Sequence, residues 1–95
     1  VININRRKMS SQKFILETYC MLLQKIPEDK EEYRKDFQNI GDTIAHTAPE
    51  IIHTAWRRMF NYCSENFNDD TCDWHTKMRD LYNSRYDEWI RLESK

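Results

Sequence analysis

One glycine and two prolines are all that this chain of 95 residues holds. So little of the two residues that break and turn a chain suits helices joined by short connections. A single glycine also leaves no glycine-rich loop to cradle a phosphate. No run of about 18 apolar residues occurs, so no membrane-spanning helix is expected. The first residues lack the apolar stretch of a secretion signal. Three cysteines are an odd number without a disulfide-framework spacing, which points to a reducing, intracellular compartment. Net charge is scarce too, because 15 bases against 16 acids leave −1. That is too little for bulk attraction to nucleic acid or an anionic membrane. Neither an internal repeat nor a low-complexity segment is found, and the start at Val1 reads as a fragment of a longer protein.

What is present supports one packed domain. Hydrophobic residues make up 39% of the chain and aromatics 13%, enough for a single small core in a chain of this length. The charge is unevenly spread. Residues 1–13 contain Arg6, Arg7, Lys8 and Lys13 and no acid. Residues 1–9 read as a basic, irregular, flexible arm, and 10–95 as one helical domain.

The periodicity gives four helices. Ser10 or Ser11 can cap the first, which carries Phe14, Ile15, Thr18, Tyr19, Leu22, Leu23 and Ile26 on a wide apolar stripe until Pro27 stops it. The second begins in the charged run 28–36, whose acids complement the dipole of a first turn. Its inner edge is Tyr33, Phe37, Ile40 and Ile44. Gly41 sits inside it at a cost of about 1 kcal/mol against Ala, a cost offset if another helix approaches closely there. The third helix is expected over Thr47–Cys63, with Thr47 and Glu50 at capping-box spacing and Pro49 in the first turn. Ile52, Ala55, Trp56, Met59, Phe60 and Cys63 form its inner face. His53, Thr54, Arg57, Arg58 and Asn61 face outward. A polar break at 68–71 precedes a fourth helix, in which Trp74, Met78, Leu81, Tyr82, Trp89 and Leu92 share a sector with Arg85 in their midst. About 20 helical residues reach roughly 30 Å, longer than a three-helix core needs. The distal end, with Tyr82, Tyr86, Trp89 and Leu92, is therefore expected to meet a protein partner or a second copy.

The order Phe37, Ile40, Gly41, Ile44, then Ile52, Trp56 and Phe60 resembles the Myb/SANT pattern, with Phe14 in the place of the first aromatic. Trp56-Arg57-x-Met59 is similar to the end of the telomere-type Myb helix. Trp74, Met78 and Leu81 resemble the extra C-terminal helix of trihelix and MADF domains. The likeness covers residues 14–62 and, more loosely, 63–92. It implies an all-α fold, a three-helix Myb/SANT-like bundle plus a long fourth amphipathic helix. It also implies a nuclear, chromatin-associated role, with the third helix in the major groove of double-stranded DNA. Glu50, His53, Thr54, Arg57 and Arg58 occupy the outward positions on that reading, with Asn61 further along. Arg6, Arg7 and Lys8 resemble an arm that enters a minor groove. The chain departs from the DNA-binding members in offering His53, Thr54 and Ala55 where Lys and Asp or Asn are usual. Glu50, moreover, repels phosphate. SANT-type and MADF-type relatives often bind proteins instead, which makes a protein-interaction or dimerisation domain the alternative.

Other chemistry is poorly supplied. Cys63, Cys72 and His75, with His53 or a carboxylate as a fourth, can be arranged as zinc ligands, but their spacing matches no structural-zinc pattern. Idle or buried thiols are the plainer reading. His46 stands near a turn with no partner nucleophile. No catalytic residue, metal, cofactor, membrane contact or small-molecule substrate is expected.

Overall fold

The computed structural model describes the backbone of residues 2–93 and the side chains of residues 11–93. The fold is all-α. Its elements are α1 (Ile2–Lys25), α2 (Glu31–His46), a 3-10 turn (Pro49–Ile51), α3 (Ile52–Asn66) and α4 (Asp73–Glu93). No helix among the described residues is long and apolar enough to cross a membrane.

α1 begins at Ile2, not at Ser10 or Ser11. The backbone is helical through the stretch expected to be an irregular arm. The sequence before Pro27 holds no glycine or proline to stop the helix from growing in that direction. Ser11 is buried within the helix and hydrogen-bonds Glu93 near the end of α4. At the other end, Arg34 of α2 donates to the Leu23 and Ile26 carbonyls at 3.3 and 3.0 Å. Both carbonyls lie at a helix end, where the helix itself supplies too few donors, and the Leu23 carbonyl also takes the Ile26 N–H at 3.2 Å.

The connection from α2 to α3 also differs from expectation. Thr47 does not cap the third helix. It closes α2, with its N–H on the Ile44 carbonyl and its hydroxyl on the Thr43 carbonyl. With that hydroxyl committed backward, no capping box with Glu50 forms. Ala48 leads instead into the 3-10 turn, with no side-chain cap. Pro49 takes the first turn, where its missing N–H costs nothing.

α1 is the hub, touching α2, the 3-10 turn, α3 and α4. Ser11 meets Glu93 and Thr18 meets Arg85, so α1 and α4 run antiparallel. The core combines Ile15, Leu22 and Ile26 of α1 with Phe37, Ile40 and Ile44 of α2. To these α3 adds Ile52, Ala55, Trp56, Met59 and Cys63, and α4 adds Met78, Tyr82 and Trp89. Phe67, just past α3, is fully buried as well. Its N–H bonds the Cys63 carbonyl, and its ring meets Tyr33, Tyr62, Trp74 and His75 edge-on. Before α4, Asp69 accepts from the N–H and hydroxyl of Thr71 at 2.9 and 2.7 Å. Those bonds hold the Asp69 carboxyl below its ordinary range.

Two features of this core are measurable. A methyl group at Gly41 would lie 2.2 Å from Tyr19 Cζ, and the Tyr19 ring is itself stacked on Phe37 at 5.3 Å. Gly41→Ala therefore forces that ring aside. Overpacking costs about 1–3 kcal/mol, against about 1 kcal/mol gained in helix propensity. A net loss of about 1 kcal/mol is expected in urea unfolding, and an unchanged or raised midpoint would contradict the contact. Burial also pushes the Cys63 thiol from 9.0 up to about 12 and raises Tyr82 in the same direction. The fold thus favours the neutral forms. Their contribution is fully present below pH 9 and is lost as pH rises toward 12. Urea midpoints are expected to fall between pH 8.5 and pH 10.5 (about where that loss sets in), and a rise would refute the assignment.

Candidate nucleic-acid interface

α3 is locked inward by its apolar face, and the same helical period turns its other side to solvent. His53, Thr54, Arg57, Arg58 and Asn61 are all exposed there, so the structure brings these five expected residues onto one helix surface. Arg57 and Arg58 make no hydrogen bond or ion pair with any described residue. Neither Glu65 nor Asp42 pairs with them. By contrast Lys77, Arg79, Arg85 and Arg91 are each paired with a carboxylate. The side chains of Arg6, Arg7 and Lys8 lie outside the described residues.

This ridge separates two depressions. On the α2 side a groove of about 530 Å³ is walled by Thr54, Arg57, Arg58 and Asn61, with Asp36, Tyr62 and Glu65 opposite or at its end. The Tyr62 hydroxyl donates to Asp36 at 3.4 Å. Burial, then the neighbouring carboxylate, push the Tyr62 phenol upward, so it stays a neutral donor. The groove carries both signs of charge. On the α4 side a cavity of about 300 Å³ has Trp56, Phe60, Tyr86 and Trp89 as its aromatic walls and His53, Arg57 and Asn61 beside them.

The expected protein-docking end of α4 is placed differently. Tyr82 and Trp89 are core residues, 4% and 8% exposed. Trp89 stacks on Trp56 with centroids 5.0 Å apart, and Tyr82 packs edge-on against Phe60 at 4.4 Å. Only Tyr86 and Leu92 keep partial exposure. The reason lies in α1 and α3. Ser11 meets Glu93, and Trp56 reaches the last turns of α4, so the extra length is covered. Tyr82 and Trp89 share the apolar stripe of Met78, and that stripe is itself the signal for burial.

Arg85 lies mid-way along the same seam. Its guanidinium covers the Phe14 ring at 3.8 Å, its Nε–H donates to Thr18 at 2.8 Å, and it pairs with Glu17 at 2.8 Å. It ties α4 to α1 and takes no part in the exposed face. Trp56 Nε1, Trp89 Nε1 and the Tyr82 hydroxyl are buried without a hydrogen-bond partner among the described residues. All three belong to the seam between α3 and α4.

Cys20, Cys63 and Cys72 are free thiols. Among the described residues no three His, Cys, Asp or Glu side chains gather closely enough to hold a metal ion. His75 Nδ1 instead accepts the Asp69 N–H at 3.2 Å. No family model, curated protein or solved structure matches the chain.

The burial of Trp89 has a direct consequence. Trp89→Ala is expected to destabilise the fold by about 3–5 kcal/mol, as for other large core aromatics, and Tyr86→Ala by less. Chemical denaturation of the two variants decides this. A Trp89→Ala midpoint equal to the parent's would return that ring to the surface.

Proposed function

We propose that the chain is a chromatin-associated, Myb/SANT-like binding module that contacts double-stranded DNA through the exposed face of α3, with Arg6, Arg7 and Lys8 adding charge. One observation carries this reading. Arg57 and Arg58 stand unpaired among the described residues on a helix surface that also presents His53, Thr54 and Asn61. α2, a short turn and α3 form the kind of unit in which the second helix enters a major groove. The two guanidiniums suit phosphate contacts, which fix register. Asn61 supplies a neutral donor and acceptor for base edges, and Thr54, whose hydroxyl donates to the Ile51 carbonyl at 2.8 Å, an acceptor. A nuclear location accompanies this role.

A second reading is favoured by Asp36 and Glu65. Carboxylates beside the α3 groove repel a phosphate backbone and suit a protein partner of mixed charge. On that reading the domain mediates protein interaction or dimerisation without touching DNA.

A titration of a labelled mixed-sequence duplex at two salt concentrations separates them. Each phosphate contact contributes a slope of about −0.9 in log affinity against log salt. Two contacts alone then weaken binding roughly tenfold between about 50 and 200 mM salt. Arg57→Ala is expected to reduce the slope by about one. No saturable binding at the lower salt would remove the DNA reading and leave the protein-interaction one.

A further inference from the structure

The cavity between α3 and α4 is separate in chemistry from the groove on the other side of the ridge. The α2-side groove is polar and bears both signs. The α4-side cavity has four aromatic residues as its walls and one fixed charge, that of Arg57. No carboxylate is among the residues that line it. Its volume of about 300 Å³ lies at the lower end of small-molecule sites. That is too little for a docked helix but suits one ring with a short substituent.

The ring arrangement limits what fits. Trp56, Trp89 and Tyr86 lie within 6.2 Å of one another, centroid to centroid, and Phe60 meets Tyr86 edge-on at 5.5 Å. Aromatic pairs gain from offset or edge-on placement of a further ring. At the rim, Arg57 and Asn61 are exposed hydrogen-bond donors and Arg57 has no internal acid to satisfy it. A guanidinium beside an apolar recess matches a carboxylate attached to a ring, since the fork of N–H groups fits both carboxylate oxygens. The indole nitrogens of Trp56 and Trp89 are themselves buried, so those two rings offer a ligand carbon surface only. Arg57, the one charge in the lining, repels a cation, so an acceptor-bearing ligand is favoured over a cationic one.

We infer that the α3–α4 cavity is a binding site for a small aromatic carboxylate, its ring against Phe60, Tyr86 and the two indoles and its carboxylate on Arg57. The inference does not depend on DNA binding. It adds a ligand where no small-molecule substrate was expected, and it involves no chemical step.

The test uses the whole chain, labelled with ¹⁵N, and phenylacetate as the probe, with phenylacetamide as its uncharged counterpart. The third tryptophan is an internal control. Trp74 packs against Phe67 and Tyr33 and lines neither depression of the α3 ridge. Saturable shifts are expected in the indole resonances of Trp56 and Trp89, with Trp74 unmoved. Arg57→Gln, an exposed substitution that leaves the core intact, is expected to weaken phenylacetate binding about tenfold, in line with loss of one charge-assisted contact. Phenylacetamide is expected to bind the parent about as weakly. No saturable shift up to millimolar phenylacetate, equal movement of Trp74, or undiminished affinity in Arg57→Gln would each overturn the assignment.

Discussion

The stack of Trp89 on Trp56 is the contact on which the arrangement of this protein turns. Trp56 is the deepest large ring of α3, and Trp89 belongs to the last turns of α4. Holding the two together joins the end of the chain to the helix at its middle. α3 then has α1 and α2 on its inner side and α4 along one flank, and just one strip of its surface stays open. The candidate surface of α3 is that strip and the two depressions beside it. Were α4 anchored elsewhere, the aromatic wall of the smaller cavity would not exist.

Around that contact the aromatic residues divide into two groups, one at each end of α4. Trp74, Phe67, Tyr33 and Tyr62 gather at its start and continue through Phe37 to Tyr19, and Trp56, Phe60, Tyr82, Tyr86 and Trp89 lie further along. Beside the second group, between Tyr82 and Tyr86, the seam to α1 has a polar contact built on Arg85, Thr18 and Glu17. A guanidinium that bonds a buried hydroxyl and covers a ring satisfies its charge without leaving the interior, as a long basic side chain can. Such a contact has one geometry, whereas an apolar seam tolerates sliding. It fixes the register of α4 on α1 and thereby the height at which Trp89 meets Trp56.

The all-α class and nearly all of the inner faces were legible in the sequence, because the apolar residues recur at helical spacing and little glycine or proline interrupts them. Phe37, Ile40, Ile44, Trp56, Met59 and Met78 fall where the period puts them. The outward set on α3 followed from the same period. What escaped was whatever depends on a neighbour. Thr47 has the side chain of a good helix start, yet a threonine hydroxyl serves a preceding carbonyl equally well, and only the path of the chain decides between them. Phe67 sits beyond a helix end, where no periodicity marks it as core. Tyr82 and Trp89 were correctly grouped on one face. Their burial depends on α3, whose Trp56 and Phe60 pack on them, and no spacing within α4 marks that neighbour.

The close approach of Tyr19 to Gly41 ties two positions that are distant in sequence into one steric unit. A side chain at 41 costs least once position 19 has given up its ring, since otherwise it pushes that ring off Phe37. The order of the two changes therefore matters. The first opens space at the expense of a stack on Phe37, and the second fills it. A substitution that costs stability in this background costs less in another, so what position 41 tolerates is set by what stands at position 19.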